Sequence, residues 1–310
     1  MLNVQHPEIS FYVIAHADDF QLFMQPNAFN DLVADNSKVV FIVTTAGDAG
    51  MGETYWMARE EGLKSSVRFC LASFVSLSES SVIKKLNDHS INYWSANNAG
   101  CYFLRLPDGG LDGNGFSTNN NKSLQKLKTG EISIVDAIDN STTYNGWADF
   151  YKTLESIILL EGKEASGSRI NYLNPDTTVN INDHPDHIAT GQAVQSMDVT
   201  RNLHQALFLG YSVRDCSDYL CPPDLFWKAG MLGAYEKAVF DRSGYSTFRE
   251  NIGLYREWCL RKASFTTFTY NCKKHEPWHK SFLSNLRTRV ANLRKVGNPF
   301  EKNSNRVTIE

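Results

Sequence analysis

Two short runs of β-branched and aromatic residues, ISFYVIA at 9–15 and KVVFIVTT at 38–45, are each followed by a stretch with helical spacing, PNAFNDLVAD from 26 and TYWMAREEGLKSSVRFCLASF from 54. Neither run alternates apolar with polar side chains, so both faces of each strand must be covered. Strands covered on both faces and separated by helices indicate βαβ units, and so an α/β protein with a mostly parallel sheet.

The rest of the chain fits that frame. A further strand, CYFLRL at 101–106, ends in PDGG, and GWADFYKTLESIILL from 146 has the spacing of an amphipathic helix. A helix opened by HPDHIATGQAV, a strand HQALFLGYS at 204–212, and helices around 224–240 and 246–262 follow. The expected architecture is a Rossmann-like three-layer sandwich with insertions and a C-terminal helical extension. One domain of 310 residues is expected, with a core of about 8–215 and the extension at 216–310. Residues 74–100 and 112–145 are Asn- and Ser-rich and longer than ordinary connections, so they are expected as loops walling a pocket. The chain from Gly297 is expected to be a solvated tail, and no internal repeat is present.

Composition excludes several classes of function. With 42% hydrophobic residues, the chain can bury a large core, while a formal net charge of -3 with mixed signs leaves no electrostatic footprint for nucleic acid. No run approaches the roughly 18 apolar residues of a membrane span, and Ile9 to Ala15 lacks the basic flank and cleavage site of a signal peptide. A cytoplasmic protein without an integral membrane segment is expected. Its six cysteines (Cys70, Cys101, Cys216, Cys221, Cys259, Cys272) are scattered at spacings that fit neither a redox pair nor a zinc ribbon, and are read as buried free thiols. Asn140-Ser141-Thr142 is a glycosylation sequon that carries meaning only on a secretory route.

The chemistry concentrates in two clusters. His16, Asp18 and Asp19 follow the first strand directly, where α/β sheets bind ligands. Bunching two carboxylates there is costly unless a cation holds them, although aspartate also caps helices well. Asp183-His184-Pro185-Asp186-His187 opens a later helix, with Pro185 suited to a first turn and the two histidines three apart on neighbouring parts of one face. Together the clusters supply two histidines and one carboxylate, which leaves a coordination position open for water as in a catalytic zinc site. Asp18 and His184 then remain for acid-base work.

These residues carry a resemblance to the LmbE/PIG-L family of zinc-dependent N-deacetylases, which has an AHPDDE-type motif after its first strand and a later HPDH-type motif. The matching segments are AHADDF at 15–20, HPDHIATG from 184, VTTAGDAG, Arg59 on the next helix, and LRLPDGGLDGNG, over roughly the first 210 residues. The resemblance implies His16, Asp19 and His187 as ligands of Zn2+, with Fe2+ or another divalent metal also compatible. It implies Asp18 as general base, a protonated His184 polarising the scissile carbonyl, and Asp186 orienting His184. Arg59 and Asp108 fall where the family binds substrate hydroxyls or sugar. The implied partner is a small N-acetylated sugar or glycoconjugate, and Asp18 or His184 must protonate the departing amine. Three positions depart from the pattern: Ala17 replaces a proline and loosens the turn, Phe20 replaces a glutamate beside the pocket, and Gly62 stands where an acidic residue often follows the arginine.

Other readings weigh less. His275-Glu276-Pro277-Trp278-His279 spells HExxH, but Pro277 breaks the helical turn that a zinc protease needs. An iron facial triad leaves Asp18 without a role. A degenerate family member would bind glycans without hydrolysing them, and a non-sugar amide is the other substrate class compatible with the chemistry. GDAGMG at 47–52 lacks a phosphate-loop ending and is read as a turn lining the site, in which Asp48 either contacts substrate or caps the helix. Arg287, Arg289, Arg294 and Lys295 fit the solvated face of an amphipathic helix.

Overall fold

The structure, a computed structural model, describes residues 6–266. In chain order the elements are β1 (Glu8–Ile14), α1 (Asp19–Phe23), α2 (Asn27–Val33), β2 (Ser37–Thr45), α3 (Glu53–Ala72), β3 (Glu79–Leu86), β4 (His89–Ala96) and β5 (Ala99–Leu106). Then come α4 (Leu124–Thr129), β6 (Val135–Asp136), β7 (Thr143–Tyr144), α5 (Trp147–Gly162), β8 (Gly167–Leu173), α6 (Pro185–Ser196) and β9 (His204–Phe208). The described chain ends in α7 (Pro222–Ser243), α8 (Thr247–Glu250), α9 (Ile252–Leu260) and β10 (Ser264–Thr266). The HExxH letters at 275–279, Cys272, the C-terminal basic residues and the tail lie outside the described residues.

One sheet of order β10-β9-β8-β1-β2-β5-β4-β3 forms the middle layer. Strands β9, β8, β1, β2 and β5 run parallel, and the edges are antiparallel. This is the expected α/β fold. Alternation of side chains divides the buried residues between two faces. Ile9, Phe11 and Val13 join Val40, Ile42, Phe150, Leu154 and Ala193 in the cluster under α5 and α6. On the other face Tyr12 stacks on Phe41, which also meets Phe20 at 4.5 Å. Phe20, expected beside the pocket, is therefore a fully buried core residue.

The sheet's connectivity locates the site. From β1 the chain moves to β2 and β5 on one side, whereas β8 and β9 lie on the other, so the order reverses between β1 and β8. Crevices form at the carboxyl ends of strands at such a switch point.

Several elements differ from expectation. Residues 74–100 are largely a hairpin, β3 and β4, that extends the sheet; its polar side chains are those of an exposed edge. Strand β8 has no continuous apolar run in the sequence, because Gly167, Ser168, Arg169 and Asn171 interrupt it. The strand expected at 204–212 stops at Phe208, and the helix at 246–262 is broken at Asn251. Gly62 has a packing reason: a Cβ there would lie 2.6 Å from the Tyr235 ring, so α3 and α7 approach closely only with glycine. Of the cysteines, Cys70 and Cys101 are buried as expected, Cys216 and Cys259 are half-buried, and Cys221 is exposed. No described helix is long and apolar enough to cross a membrane.

Candidate metal centre

The turn after β1 is closed by one carboxylate. Asp19 Oδ2 accepts the amide N–H groups of Ala15 and His16 at 2.9 and 2.8 Å. The rigidity that a proline at position 17 would supply thus comes from Asp19. Its other oxygen, Oδ1, lies 3.1 Å from His187 Nε2 and 3.7 Å from His16 Nδ1, and those two nitrogens are 3.1 Å apart. Three donors bound to one zinc at about 2.0–2.1 Å in tetrahedral geometry would stand about 3.3 Å from each other. The donor set and its spacing fit a divalent cation.

Each histidine is held from behind. Nδ1 of His187 lies 2.9 Å from Asp183 Oδ1, and His16 Nε2 lies 3.3 Å from Asp186 Oδ2. A carboxylate behind a ligating imidazole fixes its tautomer and raises its basicity. Asp183 belongs to the cluster visible in the sequence, but its function there was missed. The loops after β8 and β9 build its position: Asn180 Nδ2 donates to Oδ2 at 2.6 Å, and the Tyr211 amide donates to Oδ1 at 3.1 Å. A Cβ on Gly210 would sit 2.4 Å from that carboxylate, which makes glycine necessary.

Electrostatics mark the cluster as one that draws cations. Burial alone would lower the pKa of His16, but hydrogen bonds to Asp186 and Asp19 outweigh it and raise it to about 10. Burial likewise opposes charge on His187, and Asp183 with Asp19 override it, holding the histidine well above its usual range. Asp19, despite burial, is held well below the usual carboxylate range by His187 and His16. A divalent cation bound there would take the place of those protons as counter-charge.

His184 behaves differently. It caps α6, its Nδ1 accepting the Asp186 amide at 3.1 Å, so the neutral ring carries its proton on Nε2, 3.7 Å from Asp108 Oδ1. Burial and the neighbouring His16 push it down to about 4. Burial thus disfavours the protonated form expected of this histidine, while its Nε2–H remains free to donate. Asp186 also departs from expectation: its carboxylate is nearer His16 Nε2 (3.3 Å) than His184 Nδ1 (3.8 Å), and accepts the Gly109 amide at 3.0 Å. What orients His184 is the backbone of Asp186.

Asp18 is fixed on both oxygens. Oδ1 forms a close ion pair with Arg59 Nη2, and Oδ2 accepts the Tyr255 hydroxyl at 2.9 Å. The other terminal nitrogen of Arg59 donates to Gly47 O at 2.9 Å. Arg59, expected to meet substrate, is thus buried and committed to Asp18. Asp48 does not cap α3, whose N-cap is Gly52, and it lines a cavity. It ties three loops together by accepting from the Asp108 and Gly50 amides and from Asn119 Nδ2 at 2.9, 3.1 and 2.8 Å. Asp108 accepts the Gly110 and Ala49 amides at 2.8 and 3.2 Å, and His16 and His184 hold its carboxyl low against burial.

A cavity of about 410 Å³ opens beside Asp48, walled by Trp56, Asn119, Ile138 and Asp139. The insertion at 112–145 does line a pocket. A second cavity, about 310 Å³, lies over the β3–β4 hairpin between Lys64, Tyr93 and Arg105.

Residues 11–197 match the PIG-L family, described as GlcNAc-PI de-N-acetylase. Among solved structures, similarity is found to a triple mutant of a deacetylase involved in teicoplanin biosynthesis, with a TM-score of 0.43 and 13% identity over 80% of this chain and 88% of that one. A zinc-inhibited form of teicoplanin deacetylase gives 0.42 and 13% over 75% and 84%. The 4-carboxy-2-hydroxymuconate hydratase from Pseudomonas putida KT2440 gives 0.36 and 11% over 98% and 99%. No curated protein is significantly similar in sequence.

Proposed function

Because the chain belongs to the PIG-L family of GlcNAc-PI de-N-acetylases, we propose that it is a zinc-dependent hydrolase removing the acetyl group from an N-acetylated amino sugar or its glycoconjugate. The observation that carries this reading is the convergence of His16 Nδ1, Asp19 Oδ1 and His187 Nε2 within 3.7 Å beside Asp18 and His184. Zinc, or another divalent metal such as Fe2+, supplies there Lewis-acid polarisation of a carbonyl and a water acidic enough to attack near neutrality.

The chain's own residues do the rest. Asp18, oriented by Arg59 and Tyr255, takes the proton of the attacking water. His184 donates from Nε2–H to the carbonyl oxygen as negative charge develops on it, a stabilisation larger in the transition state than in the ground state. As the C–N bond breaks, Asp18 returns its proton to the leaving amine, so acetate and free amine result. Asp108 lies beside Nε2 of His184, and its amide donates to Asp48 at the edge of the 410 Å³ cavity, a position suited to a substrate hydroxyl. Arg59 and Asp48 serve as positioning residues behind Asp18 and the loops.

Metal-stripped and zinc-reloaded protein should be assayed for acetate release on N-acetylated sugars, glycoconjugates and non-sugar acetamides. Turnover of the sugars only after reloading is the expected result. Glycan binding without acetate release would overturn the enzymatic reading, and release from non-sugar amides alone would overturn the substrate class. Asp18→Ala should keep its metal and lose activity by about 10²- to 10⁴-fold; a near-normal rate would remove Asp18 as base.

A further inference from the structure

Tyr255 lies outside residues 11–197, the segment that matches the family, yet its hydroxyl donates to Asp18 Oδ2 across 237 positions of sequence. We propose that Tyr255 is a positioning residue for the base, and that α9 is an integral part of the site; this rests on the hydrolytic reading of Asp18.

The geometry leaves few alternatives. Tyr255 is 6% exposed, and a phenol hydroxyl taken out of water to this extent is costly without a partner. Arg59 secures one carboxylate oxygen and Tyr255 the other. With both bonds in place the Asp18 side chain has one orientation; with the Arg59 bond alone, rotation about that bond is free to carry Oδ2 away. A general base misplaced by about 1 Å can lose on the order of 10²-fold in rate.

The helix that carries Tyr255 is itself anchored to the metal-centre residues. Trp258, one turn on and on the same face, stacks on Tyr211 at 4.8 Å and donates from Nε1 to its carbonyl at 3.3 Å. Tyr211 in turn meets the edge of His187 at 5.4 Å, and its amide holds Asp183. At the end of α9, buried Lys228 Nζ donates to the carbonyls of Trp258 and Arg261 at 2.7 and 3.0 Å. The helix is thus pinned at the turn that faces Asp18 and at its terminus.

Tyr255→Phe deletes one oxygen and keeps the ring. In zinc-loaded full-length protein, on whichever N-acetylated sugar the wild type turns over, kcat should fall about 10- to 100-fold. KM should stay within about twofold with metal content unchanged, and the melting temperature should fall by only a few degrees, because one hydrogen bond is lost while the packing of the ring is kept. A kcat within about twofold of wild type would overturn the proposal, as would a fall in kcat matched by loss of metal or of fold. Crystal structures of wild type and Y255F give an arm independent of turnover. An Asp18 carboxylate displaced in Y255F supports the proposal, and one that keeps its position overturns it. If the wild type hydrolyses nothing, the proposed function falls while this second arm still decides the role of Tyr255.

Discussion

Nδ1 of His187 faces Asp183 Oδ1 at 2.9 Å, which leaves Nε2 toward Asp19 and His16. The carboxylate is buried and accepts from Asn180 and the Tyr211 amide as well, so it keeps the Nδ1 proton in place and Nε2 is the nitrogen that would give up its proton to a cation. Asp183→Asn should lower zinc affinity about 10- to 100-fold with little change in fold. Chelator competition measures it, and an unchanged dissociation constant would show that the ring needs no such partner.

Gly62 tests the contact between α3 and α7. Alanine there gains about 1 kcal/mol of helix preference that partly offsets the clash with Tyr235, so valine is the clearer probe. Gly62→Val should destabilise by about 1–3 kcal/mol in urea unfolding. No loss of stability would mean that the helices separate freely at this point.

Lys228 sets a pH dependence. Burial pushes its pKa down to about 7, whereas in the unfolded chain it stays protonated to about 10.4. Between those values the unfolded chain binds the extra proton, so this residue's contribution to stability rises with pH and is lost as pH falls toward 7. The stability difference between wild type and Lys228→Met, followed from pH 7 to 9.5, should shift in favour of wild type by at most roughly 1.4 kcal/mol per pH unit. A flat difference would contradict the buried environment.

Thiol reactivity follows burial in the same way. Cys221 is exposed, while burial pushes the Cys70 thiol up to about 12 and Cys101 higher still. An aromatic disulfide reagent at pH 8 should label Cys221 in the native protein and reach Cys70 and Cys101 only in denaturant. Fast labelling of either buried cysteine without denaturant would contradict this packing.

The parts of the fold legible in the sequence were those with a strong local signature. β1 and β2 are continuous apolar runs, α3 has helical spacing, and the His and Asp clusters are too costly in charge to pass for ordinary loops. Strand β8 had no such signature, since Asn171 is buried in it and donates to Phe11 O, a pairing visible only once the strands are side by side. The hairpin at 79–96 reads as loop because an exposed edge has no reason to be apolar. Asp186 could be seen as part of the site, but not which histidine it serves, because that depends on how α6 turns its first residues. Tyr255 was hidden entirely, for an aromatic residue on an amphipathic helix is indistinguishable in sequence from core.

The separation of Asp18 from Tyr255 also orders events during synthesis. The ribosome delivers β1 and its acidic turn early, but the last partner of that turn emerges after 236 further residues. A nascent chain released after α6 would hold every candidate ligand and still lack the hydroxyl that steadies Asp18.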